Sequence, residues 1–111
     1  MGSACLDACT TGALNTAIGK GAETALTTGD RNTAVGFEAL LNVTTGTYNI
    51  AIGTNAGQGL TDGTGLIAIG DSSFSNGTGS YNTAIGVSAL NNATGGHNVA
   101  IGRNSSNQTT S

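Results

Sequence analysis

Charge is scarce in this 111-residue chain: three Lys or Arg, six Asp or Glu and one His give a formal net charge of −3. Lys20, Arg31 and Arg103 are scattered over the whole length. No basic stripe exists to neutralise phosphates, so nucleic-acid binding has no electrostatic basis. No apolar run approaches the roughly 20 residues of a membrane-spanning helix. The start, Met1-Gly2-Ser3-Ala4-Cys5-Leu6, lacks the basic and apolar regions of a secretory signal. The expectation is a soluble chain with no membrane insertion, either a fragment of a longer protein or one that reaches the outside by assembly or lysis. Cysteine is limited to Cys5 and Cys9, too few for a four-ligand zinc site. They read equally as reduced thiols or as candidate interchain disulfides at the N-terminal end.

Catalytic groups are as sparse as charge. His97 stands alone, and Asp7, Glu23, Asp30, Glu38, Asp62 and Asp71 form no Ser/His/acid or paired-carboxylate constellation at matched register. The chain therefore reads as a non-enzyme without a cofactor. Asp62-Gly63-Thr64-Gly65 and Asp71 offer oxygens to calcium, but the Gly-Gly-x-Gly-x-Asp nonapeptide is absent and no metal is expected. Bulky apolar residues are thin too: Leu, Ile, Val and Phe number 21, about 19%, a level that suggests disorder. Disorder also requires charge, which is missing. Gly (19), Thr (18), Ala (15) and Asn (12) dominate, with no proline. So polar and uncharged a chain folds only if repetition and association supply what a large core does not.

Repetition is what the sequence has. Ala17-Ile18-Gly19, Ala34-Val35-Gly36, Ala51-Ile52-Gly53, Ala68-Ile69-Gly70, Ala84-Ile85-Gly86 and Ala100-Ile101-Gly102 recur at spacings of 17, 17, 17, 16 and 16 residues. This period is too short for a helix pair or a propeller blade, and each unit must bury its apolar face against its neighbours. The spacing predicts an all-β fold: a parallel β-solenoid of about six 16–17-residue coils. Residues 1–14 form an N-terminal cap or linker, 15–104 the solenoid, and 105–111 a polar tail. Asn15, Asn32, Asn49, Asn82 and Asn98 open five of the six units, so coils in register could stack their amides into a ladder. Leu66 opens the fourth unit instead, and Gly57, Gly59, Gly63 and Gly65 crowd the third. The pairs Thr28-Gly29, Thr45-Gly46, Thr64-Gly65, Thr78-Gly79 and Thr94-Gly95 mark a turn late in each unit.

Alternation in a strand puts Ala on one face and its two neighbours on the other. The Ile face is the natural interior. The candidate core is therefore Ile18, Val35, Ile52, Ile69, Ile85 and Ile101 with Leu40 and Leu90. The opposite column, Ala17, Ala34, Ala51, Ala68, Ala84 and Ala100, lets another chain approach closely and is the candidate subunit interface. On that reading, Ala51→Glu with Ala84→Glu should dissociate chains.

The unit Asn-Thr-Ala-Ile-Gly, followed by Ala-Leu and then Thr-Gly, resembles the head repeats of YadA-like trimeric adhesins and, more closely, the tandem repeats of phage tail-fibre proteins. The resemblance covers residues 15 to about 104. It implies a β-roll of which three copies associate around an axis. The expected function is that of a structural fibre protein, a rod or head segment of a tail fibre or trimeric adhesin engaged in attachment. Its location would be extracellular, on a virion or cell surface, and its partners further copies of itself and surface glycans. A subunit of a self-assembling β-solenoid filament is the alternative, because open coil edges invite end-to-end stacking and little charge protects them. An ice-binding role is disfavoured, since Thr16, Thr33, Ile50, Ile67, Thr83 and Val99 make a broken threonine column.

Overall fold

The computed structural model describes residues 3–106, so most of the polar tail, residues 107–111, lies outside the described residues. Six three-residue strands follow one another: β1 (Thr16–Ile18), β2 (Thr33–Val35), β3 (Ile50–Ile52), β4 (Ile67–Ile69), β5 (Thr83–Ile85) and β6 (Val99–Ile101). They form one sheet in the order β1-β2-β3-β4-β5-β6, every pair parallel. Ala17 sits opposite Ala34, Ala34 opposite Ala51, and so on to Ala84 opposite Ala100. The unit period is thus the coil period, and the fold is a β-solenoid. Among the described residues no helix is long and apolar enough to cross a membrane.

Each strand ends at a glycine with φ between 122° and 136°: Gly19, Gly36, Gly53, Gly70, Gly86 and Gly102. A side chain is excluded there twice over. The conformation is costly for an L-residue, and a Cβ on Gly36 would lie 2.5 Å from the carbonyl oxygen of Gly53 in the next coil. From Gly36 onward the N–H of each such glycine donates to the carbonyl of the preceding coil's strand end, as from Gly36 to Ile18 at 2.7 Å.

Beyond the glycine the chain alternates between right- and left-handed backbone, with non-glycine residues such as Glu38 (φ 55°) and Leu40 (φ 51°) in the left-handed region. This bends the coil back on itself and aims Leu40, Phe74 and Leu90 inward, where all three are fully buried. Left-handed backbone costs roughly 1–2 kcal/mol per residue. Burying a Leu or Phe returns about 1.5–3 kcal/mol and offsets much of that cost.

The interior consists of stacked columns: the strand alanines, Ala22/Ala39/Ala56/Ala89, the Leu40/Phe74/Leu90 column and Leu26/Val43/Leu60, all buried except Ala17, which is partly so. The candidate core thus needs correction. Leu40 and Leu90 are in it, but Ile18 (44% exposed), Ile52 (41%) and Ile101 (69%) face outward, and Val35, Ile69 and Ile85 are only half-buried. The reason is width. Leucines reaching across from the return arm occupy the inside, leaving room for nothing larger than Ala on the strand.

Residues 3–14 are no linker but a further part-coil, stacked under the first repeat. Leu6 N–H donates to Ala22 O (3.3 Å), Ala8 N–H to Thr24 O (3.3 Å) and Thr10 N–H to Thr27 O (3.0 Å). The stack measures 34 × 21 × 16 Å, one layer longer than the roughly 29 Å that six coils at ~4.8 Å would give.

Candidate interaction surface

The asparagine positions do form a ladder, by side chain to backbone. Asn15 Oδ1 accepts the N–H of Asn32 (2.8 Å), Asn32 Oδ1 that of Asn49 (3.0 Å), and Asn49 Oδ1 that of Leu66 (2.9 Å). Each amide nitrogen donates to a turn glycine: Asn15 to Gly29, Asn32 to Gly46, Asn49 to Gly63 and Asn82 to Gly95. Asn32, Asn49 and Asn82 are completely buried, so these bonds replace every contact with water. The third unit's turn is consequently Asp62-Gly63, in register with Thr45-Gly46, and not Thr64-Gly65.

Leu66 breaks the ladder for a steric reason. A Cβ added to Gly57 would lie 2.8 Å from Leu40 Cδ2 and 3.0 Å from Leu66 Cδ2. Gly57 stands in the column that holds Leu40, Phe74 and Leu90, and the Leu66 side chain fills the space it leaves. The two irregularities noted in the sequence are one compensated exchange.

The proposed subunit interface falls in the wrong place. Ala34, Ala51, Ala68 and Ala84 are completely buried within their own chain, Ala100 is 4% exposed and Ala17 is partly buried against the same core. No second chain can reach that column. The face open to association is its reverse, where each strand presents two β-branched residues: Thr16 and Ile18, Thr33 and Val35, Ile50 and Ile52, Ile67 and Ile69, Thr83 and Ile85, Val99 and Ile101. Five inter-strand steps make this face about 24 Å long. Phe37 (43% exposed) and Val87 (45%) extend it past the glycine corner.

A second exposed feature runs along the corner before each asparagine. Arg31, Tyr48, Tyr81 and His97 all hold φ between 57° and 64°. The Arg31 guanidinium lies 5.4 Å from the centroid of the Tyr48 ring, and the Tyr81 and His97 rings stack at 5.1 Å. Gly65 interrupts the ridge, and the Tyr81 ring lies over it. At the N-terminal end the Cys5 thiol donates to Gly19 O (2.9 Å) and the Cys9 thiol to Gly12 O (3.4 Å); both residues are half-buried.

One residue was missed by the sequence reading. Glu23 occupies the column of Leu40 and Leu90, is completely buried, and neither carboxyl oxygen has a hydrogen-bond partner. Aligning units on Gly19 and Gly36 would have shown a carboxylic acid where leucine belongs. Comparison of the chain with protein-family models, curated proteins and solved structures finds no match.

Proposed function

We propose that this protein is a structural rod, a shaft or head segment of a fibre or adhesin that serves attachment at a virion or cell surface. Copies of it associate, three to a bundle, through the outer faces of β1–β6. The observation that carries this reading is the inverted strand: alanine satisfies the inside, and nine Ile or Val side chains with three Thr are left facing out. A lone soluble chain gains nothing from so continuous an apolar stripe. β-branched side chains have little rotamer freedom to lose, so docking them costs little entropy. Facing sheets of this kind stack about 10 Å apart. The ridge of Tyr48 and Tyr81 would remain outside such a bundle and is where a surface glycan would be sought.

Native mass by light scattering over a concentration series, with reductant present to remove cross-links through Cys5 and Cys9, tests the assembly. Three chains independent of concentration is the expected result. A monomer at every concentration overturns it, and open-ended polymer replaces it with a filament subunit.

A further inference from the structure

Among the described residues Glu23 is the one ionisable side chain that is completely buried, and both its oxygens lack partners. It sits in the column occupied by Leu6 in the part-coil beneath and by Leu40 in the coil above. The ionisable groups on these layers are Cys5, Asp7 and Cys9 below, Lys20, Asp30 and Arg31 on its own coil, and Glu38 and Tyr48 above. None of them hydrogen-bonds the carboxyl, and Glu38 Oε2 is engaged by Gln58 Nε2 at 2.9 Å. No pairing offsets the cost of a charge in this place, so the carboxyl is comfortable only when neutral.

We propose that Glu23 is a proton-operated latch on the N-terminal layer: protonated, it lets residues 3–14 stay docked on the first repeat, and ionised, it drives that layer open while the coils above remain folded. The inference stands whether or not the fibre reading does.

The two sides of Glu23 differ in what holds them. Above it, Ala39, Leu40, Ala56 and Leu60 are fully buried. Below it, Leu6 is only partly buried against the core, and the layer is kept by backbone bonds and a few half-buried or exposed side-chain bonds: Thr24 Oγ1 to Ala4 O (2.9 Å), Cys5 Sγ to Gly19 O (2.9 Å), Thr10 Oγ1 to Thr27 O (3.1 Å) and the N–H of Ala13 to Asp30 Oδ1 (2.7 Å). In a solenoid each layer contacts only its neighbours, so a terminal layer can open without disturbing the rest. Water therefore reaches the carboxylate most cheaply from below.

Burial pushes the Glu23 carboxyl up from its ordinary 4.5 to about 7, desolvation being the cause. The docked form accordingly retains a proton between pH 4.5 and 7 that the opened form has released. Docking is strongest below 4.5, weakens through this window as pH rises, and reaches its floor above about 7.

Amide hydrogen exchange on the intact chain, corrected for intrinsic rates, reads this directly. The N–H groups of Ala8 and Thr10, bonded to Thr24 O and Thr27 O, should lose protection by about tenfold per pH unit across the window. Thr44 N–H, bonded to Thr61 O at 2.8 Å, should keep its protection. In Glu23→Leu, which restores the residue type of the column, Ala8 and Thr10 should show no such slope. Glu23→Gln, uncharged and of similar size, should be equally flat and covers the case in which Leu disturbs the layer. A flat wild-type profile, a slope that survives in both variants, or parallel loss at Thr44 would each overturn the latch.

Discussion

Asn49 joins three coils: its main-chain N–H donates to Asn32 Oδ1 below (3.0 Å), and its buried side-chain Oδ1 accepts the N–H of Leu66 above (2.9 Å). Its Nδ2 also donates to Gly63 O (2.9 Å). An in-register solenoid with a thin core is held at this corner by amides that pair the backbone N–H of the next coil wherever the asparagine recurs.

Asn49→Ala should therefore be among the most damaging single truncations. It strands the N–H of Leu66 and the carbonyl of Gly63 in a place water does not reach, at about 1–3 kcal/mol for each stranded group. Asn42 is exposed and its amide donates to Gln58 O (2.8 Å), so Asn42→Ala should cost about 1 kcal/mol or less. Urea denaturation of both variants checks the ordering.

Ala51 and Ile52 are neighbours on one strand and face opposite ways, which separates folding from association. Ala51→Glu places a charge in the single-chain core and should abolish the folded signal in circular dichroism. Ile52→Glu with Ile69→Glu should leave that signal intact and reduce the native mass to one chain. Were Ala51→Glu to fold and merely dissociate, the alanine column would be the interface after all.

Gly36 and Gly102 occupy equivalent corners with nearly the same φ, 136° and 122°, yet only Gly36 is roofed by a following coil. Gly36→Ala drives a methyl to 2.5 Å from Gly53 O and should cost several kcal/mol, about what overpacking and backbone strain reach together. Gly102 has nothing within 4 Å, so Gly102→Ala should cost only the backbone term, roughly 1–2 kcal/mol. Thermal melts of the two variants distinguish them.

Much of this architecture was legible in the residues. The recurrence of Ala-Ile-Gly gave the strand positions and the parallel register, and the recurrent Asn gave the ladder corner. The direction of the strand was not legible, because alternation defines two faces without saying which is inside. That choice is made by volume, through leucines such as Leu40 and Leu90 that come from a part of the unit where no strand forms. A hint was present: a position that is Ala in six of six units is limited by space, whereas its neighbour varies among Thr, Ile and Val. Residues 1–14 read only as a cap or linker because they contain no strand phrase, although Thr11-Gly12 lies 17 residues before Thr28-Gly29 and continues the repeat.

Gly57 and Leu66 should behave as a coupled pair. Gly57→Leu alone restores the consensus of its column, and at its φ of 64° it takes on the roughly 1–2 kcal/mol of left-handed backbone that Leu40, at 51°, already bears. The obstacles are two side chains, Leu40 Cδ2 at 2.8 Å and Leu66 Cδ2 at 3.0 Å from where the new Cβ would sit, and the second is the one foreign to the repeat. Leu66→Asn removes that side chain and supplies an Oδ1 for the N–H of Asn82, the rung the ladder lacks. Each single substitution should destabilise, the first by overpacking at about 1–3 kcal/mol and the second by opening a void. The double variant should be less destabilised than their sum by at least about 1 kcal/mol, measured as a double-mutant cycle in urea. Simple additivity would mean that the two departures from the repeat are unrelated.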